Sequence, residues 1–342
     1  MLILMKVGAS DAQIDQVCEI IRNRGIEPLV LPGEPRRAVG IPSSLSQDQR
    51  VDLESIIGRL DFVSKITQTS SPFRLSGLEF HPEKTIVKVK NIEFGSGTFV
   101  VIGGPCSVES YDQFRKAADV VKASGATMLR GGAFKPRTSP YSFQGLQEEG
   151  LRIMKQVSEE TGLATITEVM SAEKVELVAQ HTDMLQIGAR SMQNFPLLIE
   201  AGRSGMPVFL KRGPSATIDE FVLASEYILN EGNNNVVLCE RGILAMDKTY
   251  VRNTMDLNAV PVLKSLTHLP VVVDPSHGTG VASLVTPLAK AAMVVGADGV
   301  MIEMHPDPNE ALSDGSQALD SDQFSNLVAE LKGLADYCGL RF

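Results

Sequence analysis

Apolar positions in the first seventy residues switch between short runs and helical spacing. Leu2 to Val7 reads as a strand. Ser10 with Gln13 has the spacing of a capping box, and Ile14, Val17, Cys18 and Ile21 then mark one face of a helix that Gly25 ends. Pro28 to Leu31 and Ala38 to Ile41 read as strands on either side of Pro32-Gly33. Ser46 and Gln49 open a second helix with Leu53, Ile56, Ile57 and Leu60 on its apolar face, and Phe62 to Thr67 is a last strand. The order βαββαβ predicts a small α+β ferredoxin-like domain over residues 1–70, with both helices on one face of an antiparallel sheet. Residues 71–84, polar and broken by Pro72 and Gly77, read as a linker.

The pattern then changes. Thr85 to Lys90 and Ile92 to Phe94 alternate apolar with polar, as an N-terminal hairpin would, and from Phe99 a short apolar strand followed by an amphipathic helix recurs eight times. The strands are Val100–Gly103, Thr127–Leu129, Ala164–Thr167, Met184–Ile187, Val208–Leu210, Val236–Leu238, Val271–Val273 and Gly299–Ile302. Phe114–Ala123, Leu146–Thr161, Ala172–His181, Asp219–Leu229 and Val281–Val295 are helices between them. Uninterrupted Val/Ile/Leu strands alternating with helices imply a parallel sheet. Eight such units fit a closed α/β (β/α)8 TIM barrel, residues 85–342, better than an open sheet. No G-x-G-x-x-G or Walker loop follows any strand, so the open nucleotide-binding alternative lacks its mark.

Composition narrows the setting. No apolar run approaches the roughly 20 residues that span a membrane, and the N-terminus lacks a signal peptide's pattern, so a cytoplasmic protein with no membrane partner is expected. Cys18, Cys106, Cys239 and Cys338 are scattered, as reduced thiols are. With 32 basic against 41 acidic residues the net charge is −9, which repels nucleic acid; residues 1–70 hold one aromatic, Phe62, and no basic excess, which argues against RNA binding there as well.

In a chain this acidic, local clusters of Arg and Lys need a specific reason, and they fall after the apolar strands. Arg130, Lys135 and Arg137 follow strand two with Gly131, Gly132, Thr138 and Ser139 around them, an anion site in outline. Arg190, Lys211, Arg212 and Arg241 follow strands four to six, and a closed barrel gathers all of them on its C-terminal face. The set implies a substrate with several negative charges, a phosphate with a carboxylate or two phosphates. Closure also makes strand one a neighbour of strand eight, and eight of seven. Cys106, His277 and Glu303 then converge, and Asp314 in the loop after strand eight completes a four-ligand set. One thiolate, one imidazole and two carboxylates suit a divalent Mn, Fe, Co or Zn better than Mg or Ca. His305 is the rival ligand.

These motifs carry a resemblance. G-P-C-S at 104–107, L-R-G-G-A-F-K-P-R-T-S-P at 129–140, G-A-R at 188–190, L-K-R-G at 210–213, E-R-G at 240–242, D-P-S-H at 274–277, Glu303 and S-D-G at 313–315 together resemble 3-deoxy-D-arabino-heptulosonate 7-phosphate (DAHP) synthases, over roughly Phe94–Phe342. Residues 1–70 are similar to the ferredoxin-like regulatory extension of type I beta-like members. The resemblance implies condensation of phosphoenolpyruvate with erythrose 4-phosphate at the head of the shikimate pathway. It implies Arg130, Lys135, Arg190, Lys211 and Arg241 on phosphoenolpyruvate, Arg137, Thr138 and Ser139 on the erythrose 4-phosphate phosphate, and Cys106, His277, Glu303 and Asp314 on the metal. Lys135 would take part in proton transfer, Glu168 and Asp274 would orient water or His277, and the extension would sense tyrosine or phenylalanine in a homotetramer. The related 3-deoxy-octulosonate 8-phosphate synthases typically carry K-A-N-R-S where this chain has K-P-R-T-S, which favours the four-carbon aldose. A non-catalytic phosphosugar-binding barrel would be expected to lack part of the metal set, and all four residues are present.

Overall fold

The computed structural model describes residues 1–31, 37–67, 72–136 and 139–342, in two compact units, Met1–Glu83 and Lys84–Phe342. In the first, β1 (Leu2–Met5), α1 (Asp11–Arg22), β2 (Leu29–Leu31), β3 (Ala38–Gly40), α2 (Gln47–Ile57) and β4 (Val63–Thr67) follow one another. The strands form an antiparallel sheet of order β2-β3-β1-β4. Both helices start at complete capping boxes, Ser10 with Gln13 and Ser46 with Gln49. Period-two alternation in β1 divides the sheet. Met1, Ile3 and Met5 pack with Ile14, Val17, Cys18, Ile21, Leu53 and Ile57 of the helices, while Leu2 turns to the other face with Leu31, Ala38 and Phe80. Phe80 is fully buried there, so residues 72–83, expected as linker, belong to this unit.

In the second unit a hairpin, β5 (Val87–Val89) and β6 (Ile92–Phe94), precedes eight parallel strands. These are β7 (Val100–Gly104), β8 (Met128–Arg130), β9 (Ala164–Val169), β10 (Met184–Ile187), β11 (Val208–Lys211), β12 (Val236–Glu240), β15 (Val271–Val273) and β16 (Gly299–Glu303); a short hairpin, β13 (Ile243–Leu244) and β14 (Asn253–Thr254), intervenes after β12. They close in the order β10-β11-β12-β15-β16-β7-β8-β9, with Val300 of β16 opposite Val101 of β7. The expected α/β barrel is therefore present. Its outer helices are α3 (Tyr111–Ala123), α4 (Glu148–Thr161), α5 (Val175–Ala179), α6 (Phe195–Arg203), α7 (Ile218–Leu229), α8 (Ala259–Leu266), α9 (Pro275–Thr279), α10 (Ala282–Val294) and α11 (Ser321–Tyr337).

Inside, Val100, Ile102, Met128, Ala164, Ile166, Met184, Phe209, Val237, Cys239, Val272 and Met301 form one apolar core with Val87, Val89, Ile92 and Phe94 of the first hairpin. The hairpin thus stoppers the N-terminal end of the barrel, and chemistry is left to the other end. Seven of the eight inward columns continue upward with period two to a polar group: Met128 leads to Arg130, Ile166 to Glu168, Met184 to Gln186, Phe209 to Lys211, Cys239 to Arg241, Val272 to Asp274 and Met301 to Glu303, while Ile102 of β7 leads to Gly104. The same alternation that fills the core sets a ring of polar groups on top of it.

Candidate active site

Cys106 sits in the turn leaving β7, and glycine makes the turn possible. Gly104 has φ +139°, and a Cβ there would lie 2.2 Å from the Arg130 carbonyl oxygen. Gly132 does the same for its neighbour: a Cβ would stand 2.8 Å from the Cys106 carbonyl oxygen and 2.9 Å from Lys135 Cδ. Lys135, almost fully buried, uses that space to place Nζ 2.9 Å from Cys106 Sγ and 3.0 Å from its carbonyl oxygen. Sγ also lies 3.1 Å from Asp314 Oδ2 and 3.0 Å from Ser313 Oγ.

One ligand atom each from Cys106, Glu303 and Asp314 lies within 4.8 Å of the others. His277 is not one of that group of three but touches it through Glu303, with Nε2 3.2 Å from Glu303 Oε1. Its other ring nitrogen, Nδ1, is 2.7 Å from Asp274 Oδ2, and its backbone N–H donates to Asp274 Oδ1 at 2.9 Å. The short helix α9 produces this geometry: Asp274 caps it, Pro275 occupies its first turn, and His277 is carried round towards Glu303. A carboxylate behind an imidazole fixes which nitrogen faces forward, as in a metal-binding histidine. Burial, and then the charge of Glu303, push the Cys106 thiol up to about 12. For Asp314, burial is outweighed by the bond from Cys106 and then by His277 and Arg252, which hold the carboxyl at about 2. Burial lowers His277, against the pull of the Asp274 and Glu303 carboxylates. An imidazole, two carboxylates and a thiol that needs a cation beside it to ionise are the chemistry of a transition-metal site; the donor set fits a divalent metal.

Cations surround the group. Arg130 pairs with Glu303 Oε1, and Lys211 pairs with Asp274; all four side chains are buried. Arg241 is buried at 8% exposure, with no carboxylate partner among the described residues, and desolvation lowers its pKa. An anion would relieve that burial. Arg190 is exposed and donates to the Pro136 carbonyl oxygen at 2.9 Å. Arg130, Lys135, Arg190, Lys211, Arg241, His277, Asp314 and Glu168 line a single cleft. Glu168 is joined there by Gln186.

Not every expected residue is in the cleft. Arg212 turns the other way, bonded to Glu240 at 2.7 Å and Asp256 at 3.0 Å, because neighbours along a strand face opposite sides and Lys211 takes the inner one. The rival ligand His305 is outside the metal group: its Nδ1 accepts from the Asp307 N–H at 3.1 Å and its Nε2 lies 3.5 Å from Glu109 Oε2. Arg137 and Thr138 lie outside the described residues, and Ser139 is exposed, its Oγ accepting from the Tyr141 N–H at 3.3 Å. Two residues that the strand-end pattern misses also belong to the site. Arg252 lines the cleft and reaches Asp314 Oδ1 at 3.5 Å and Gln317 Oε1 at 3.3 Å, while Gln317 donates to Glu303. Neither follows a barrel strand, so spacing gives no signal for them.

Residues 82–338 match the model of the DAHP synthetase I family. A phospho-2-dehydro-3-deoxyheptonate aldolase of Thermotoga maritima is 42% identical over 341 residues, 100% of this chain and 99% of that one. The crystal structure of a phospho-2-dehydro-3-deoxyheptonate aldolase (DAHP synthase) from the same organism superposes with a TM-score of 0.79 at 41% identity, over 99% of this chain and 98% of that one. A 2-dehydro-3-deoxyphosphooctonate aldolase of Syntrophobacter fumaroxidans is 33% identical over 69% of this chain and 87% of its own length.

Proposed function

The chain belongs to the DAHP synthetase I family, and from that premise we infer that it condenses phosphoenolpyruvate with erythrose 4-phosphate and water, giving DAHP and phosphate. The observation that carries this reading is the 42% identity along the whole chain, against 33% over 69% of it for the octonate relative.

For the site, the proposal is that Arg130, Lys135, Arg190, Lys211 and Arg241 hold the phosphate and carboxylate of phosphoenolpyruvate. Arg241, buried without a carboxylate partner among the described residues, supports this most directly. Arg137, Thr138 and Ser139 take the aldose phosphate. Cys106, His277, Glu303 and Asp314 are the residues that would hold the metal; three of them, Cys106, Glu303 and Asp314, lie close together, and His277 lies against Glu303. When bound, a divalent Mn, Fe, Co or Zn ion supplies positive charge for the aldehyde oxygen. The protein's own share is positioning: the cations keep C3 of phosphoenolpyruvate against the aldehyde carbon, and they stay on the phosphate until it leaves. Bond formation at C3 leaves cationic character at C2, which water captures, and the tetrahedral intermediate expels phosphate. Lys135 Nζ donates to Cys106 Sγ and is the group proposed to move a proton there.

Phosphate release from phosphoenolpyruvate tests the substrate. Erythrose 4-phosphate should support it and arabinose 5-phosphate should not. Arg137→Ala should raise the KM for erythrose 4-phosphate about 30- to 150-fold, as loss of a charge-assisted bidentate contact does, with little change for phosphoenolpyruvate. Faster release with arabinose 5-phosphate would reverse the assignment.

Residues 1–70 are proposed as a ferredoxin-like sensor for tyrosine or phenylalanine. Supporting this, the sheet order with both helices' apolar faces in one core fits that fold, and the unit supplies none of the cleft residues. A sensor must bind its effector differently in two states, for which a homotetramer gives the setting. A cytoplasmic location accords with scattered cysteines, all free, and no described helix is long and apolar enough to cross a membrane. A chain starting at Lys84 should keep turnover and lose inhibition by either amino acid. Inhibition that survives the truncation would place the sensor elsewhere.

A further inference from the structure

Asp314 is the metal-group residue with the weakest local support. Cys106 leaves β7 directly, Glu303 ends β16, and His277 rides on α9, but Asp314 comes at the end of a loop running from Pro306. It is also one of three non-glycine residues with positive φ among those described, at +53°, a left-handed conformation that Asp adopts more readily than most side chains. Contacts from outside the loop, those of Cys106 and Arg252 among them, hold it in place.

Glu109 does so from the other side of the barrel seam. Its carboxylate is nearly buried, and Oε1 accepts from the Leu312 N–H at 3.0 Å, two residues before Asp314, and from Ser107 Oγ at 2.9 Å. Oε2 faces His305 Nε2 at 3.5 Å. His305 Nδ1 accepts the Asp307 N–H, and its buried Nε2 makes no hydrogen bond among the described residues, the carboxylate included. Glu109 itself stands on a fixed base. Its N–H donates to Gln113 Oε1 at 3.3 Å, Gln113 donates to the Ser107 carbonyl oxygen at 3.3 Å, and Ser110 caps α3 through the Gln113 N–H. The Val108 N–H donates to Gly132 at 3.1 Å. One carboxylate therefore ties the turn that bears Cys106 to the loop that bears Asp314.

We propose that Glu109 is a positioning residue: by accepting the Leu312 N–H it sets Asp314 against Cys106 and so completes the metal group. This rests on the metal reading above. Carboxylates that orient ligands from behind typically control metal affinity by about 10- to 100-fold, and an effect of that size is expected here.

The test uses full-length protein stripped of metal and titrated with Mn²⁺ alone, free ion being read by its spin resonance, with amide hydrogen exchange of residues 312–315 measured in parallel. Glu109→Ala should raise the Kd about 10- to 100-fold and speed exchange at those amides, while Glu109→Gln, whose side-chain oxygen still accepts from Leu312, should stay within about threefold. Glu109→Asp, too short to bridge Leu312 and Ser107, should shift both readouts in the alanine direction and carries the test if the alanine protein does not fold. Asp314→Asn is the control. If it weakens Mn²⁺ binding and Glu109→Ala does not, the positioning role is overturned and the metal reading stands; if Asp314→Asn also binds as the parent does, the metal reading itself falls. An equal loss in the glutamine and alanine proteins would assign the effect to charge and overturn the tie to Leu312.

Discussion

Cys106→Ala should turn over at about a thousandth of the parent rate or less, and chelation should silence the parent until divalent metal is returned. A metal that stabilises developing charge is worth several kcal/mol of barrel chemistry, and about 4 kcal/mol is three decades in rate. The thiol is the group least able to act without a cation, since burial and Glu303 push it up to about 12. Removing it deletes one donor and strips Lys135 of its sulfur contact. The measurement is phosphate release with metal titrated in, alongside direct metal binding. Undiminished activity in chelated protein would remove the metal from the reaction.

Lys211→Met should lose about 3 kcal/mol or more of folding stability and most of its activity together. Asp274 is fully buried, and its carboxyl is held well below the usual range: burial opposes this, but His277 and Lys211 prevail. Deleting the ammonium takes away the only cation paired directly with that carboxylate among the described residues besides His277, leaving Arg130 and Arg241 to act on it from further off, and breaking a buried pair from one side costs about 3–5 kcal/mol. Adding Asp274→Asn to the same chain should recover much of the stability without restoring turnover, because the second change removes the stranded charge but not the need for a cation at the substrate. Urea denaturation of the single and double variants separates the two effects. A single variant within about 1 kcal/mol of the parent would mean that the pair carries little of the load.

The repeat of strand and helix was legible because a buried parallel strand must be apolar throughout, and the two capping boxes because their hydrogen bonds need Ser and Gln three apart. Closure puts the strand before Cys106 and the strand bearing Glu303 side by side, and likewise the strand before His277 and that of Glu303. Arg212 was misplaced because its neighbour Lys211 has the same charge, and only the alternation of the strand tells them apart. Arg252 comes from a loop that folds back through β13 and β14, a path that no local pattern announces. Phe80 was hidden for another reason. A single large apolar side chain in a polar stretch has no periodicity, so its place on the first sheet depends wholly on tertiary packing.

The inward columns have an implication for how such a chain can change. Phe209 and Lys211 share a column, as do Cys239 and Arg241, while Arg212 and Glu240 belong to the outside. A substitution at any of these sites alters one side chain. A one-residue deletion within β11 would present Arg212 to the cleft and send Lys211 among the helices, reversing every contact above the cut. Descendants of this sequence can therefore vary the letters of a strand but not its count, and gains or losses of length should be found in the loops beyond the strand ends.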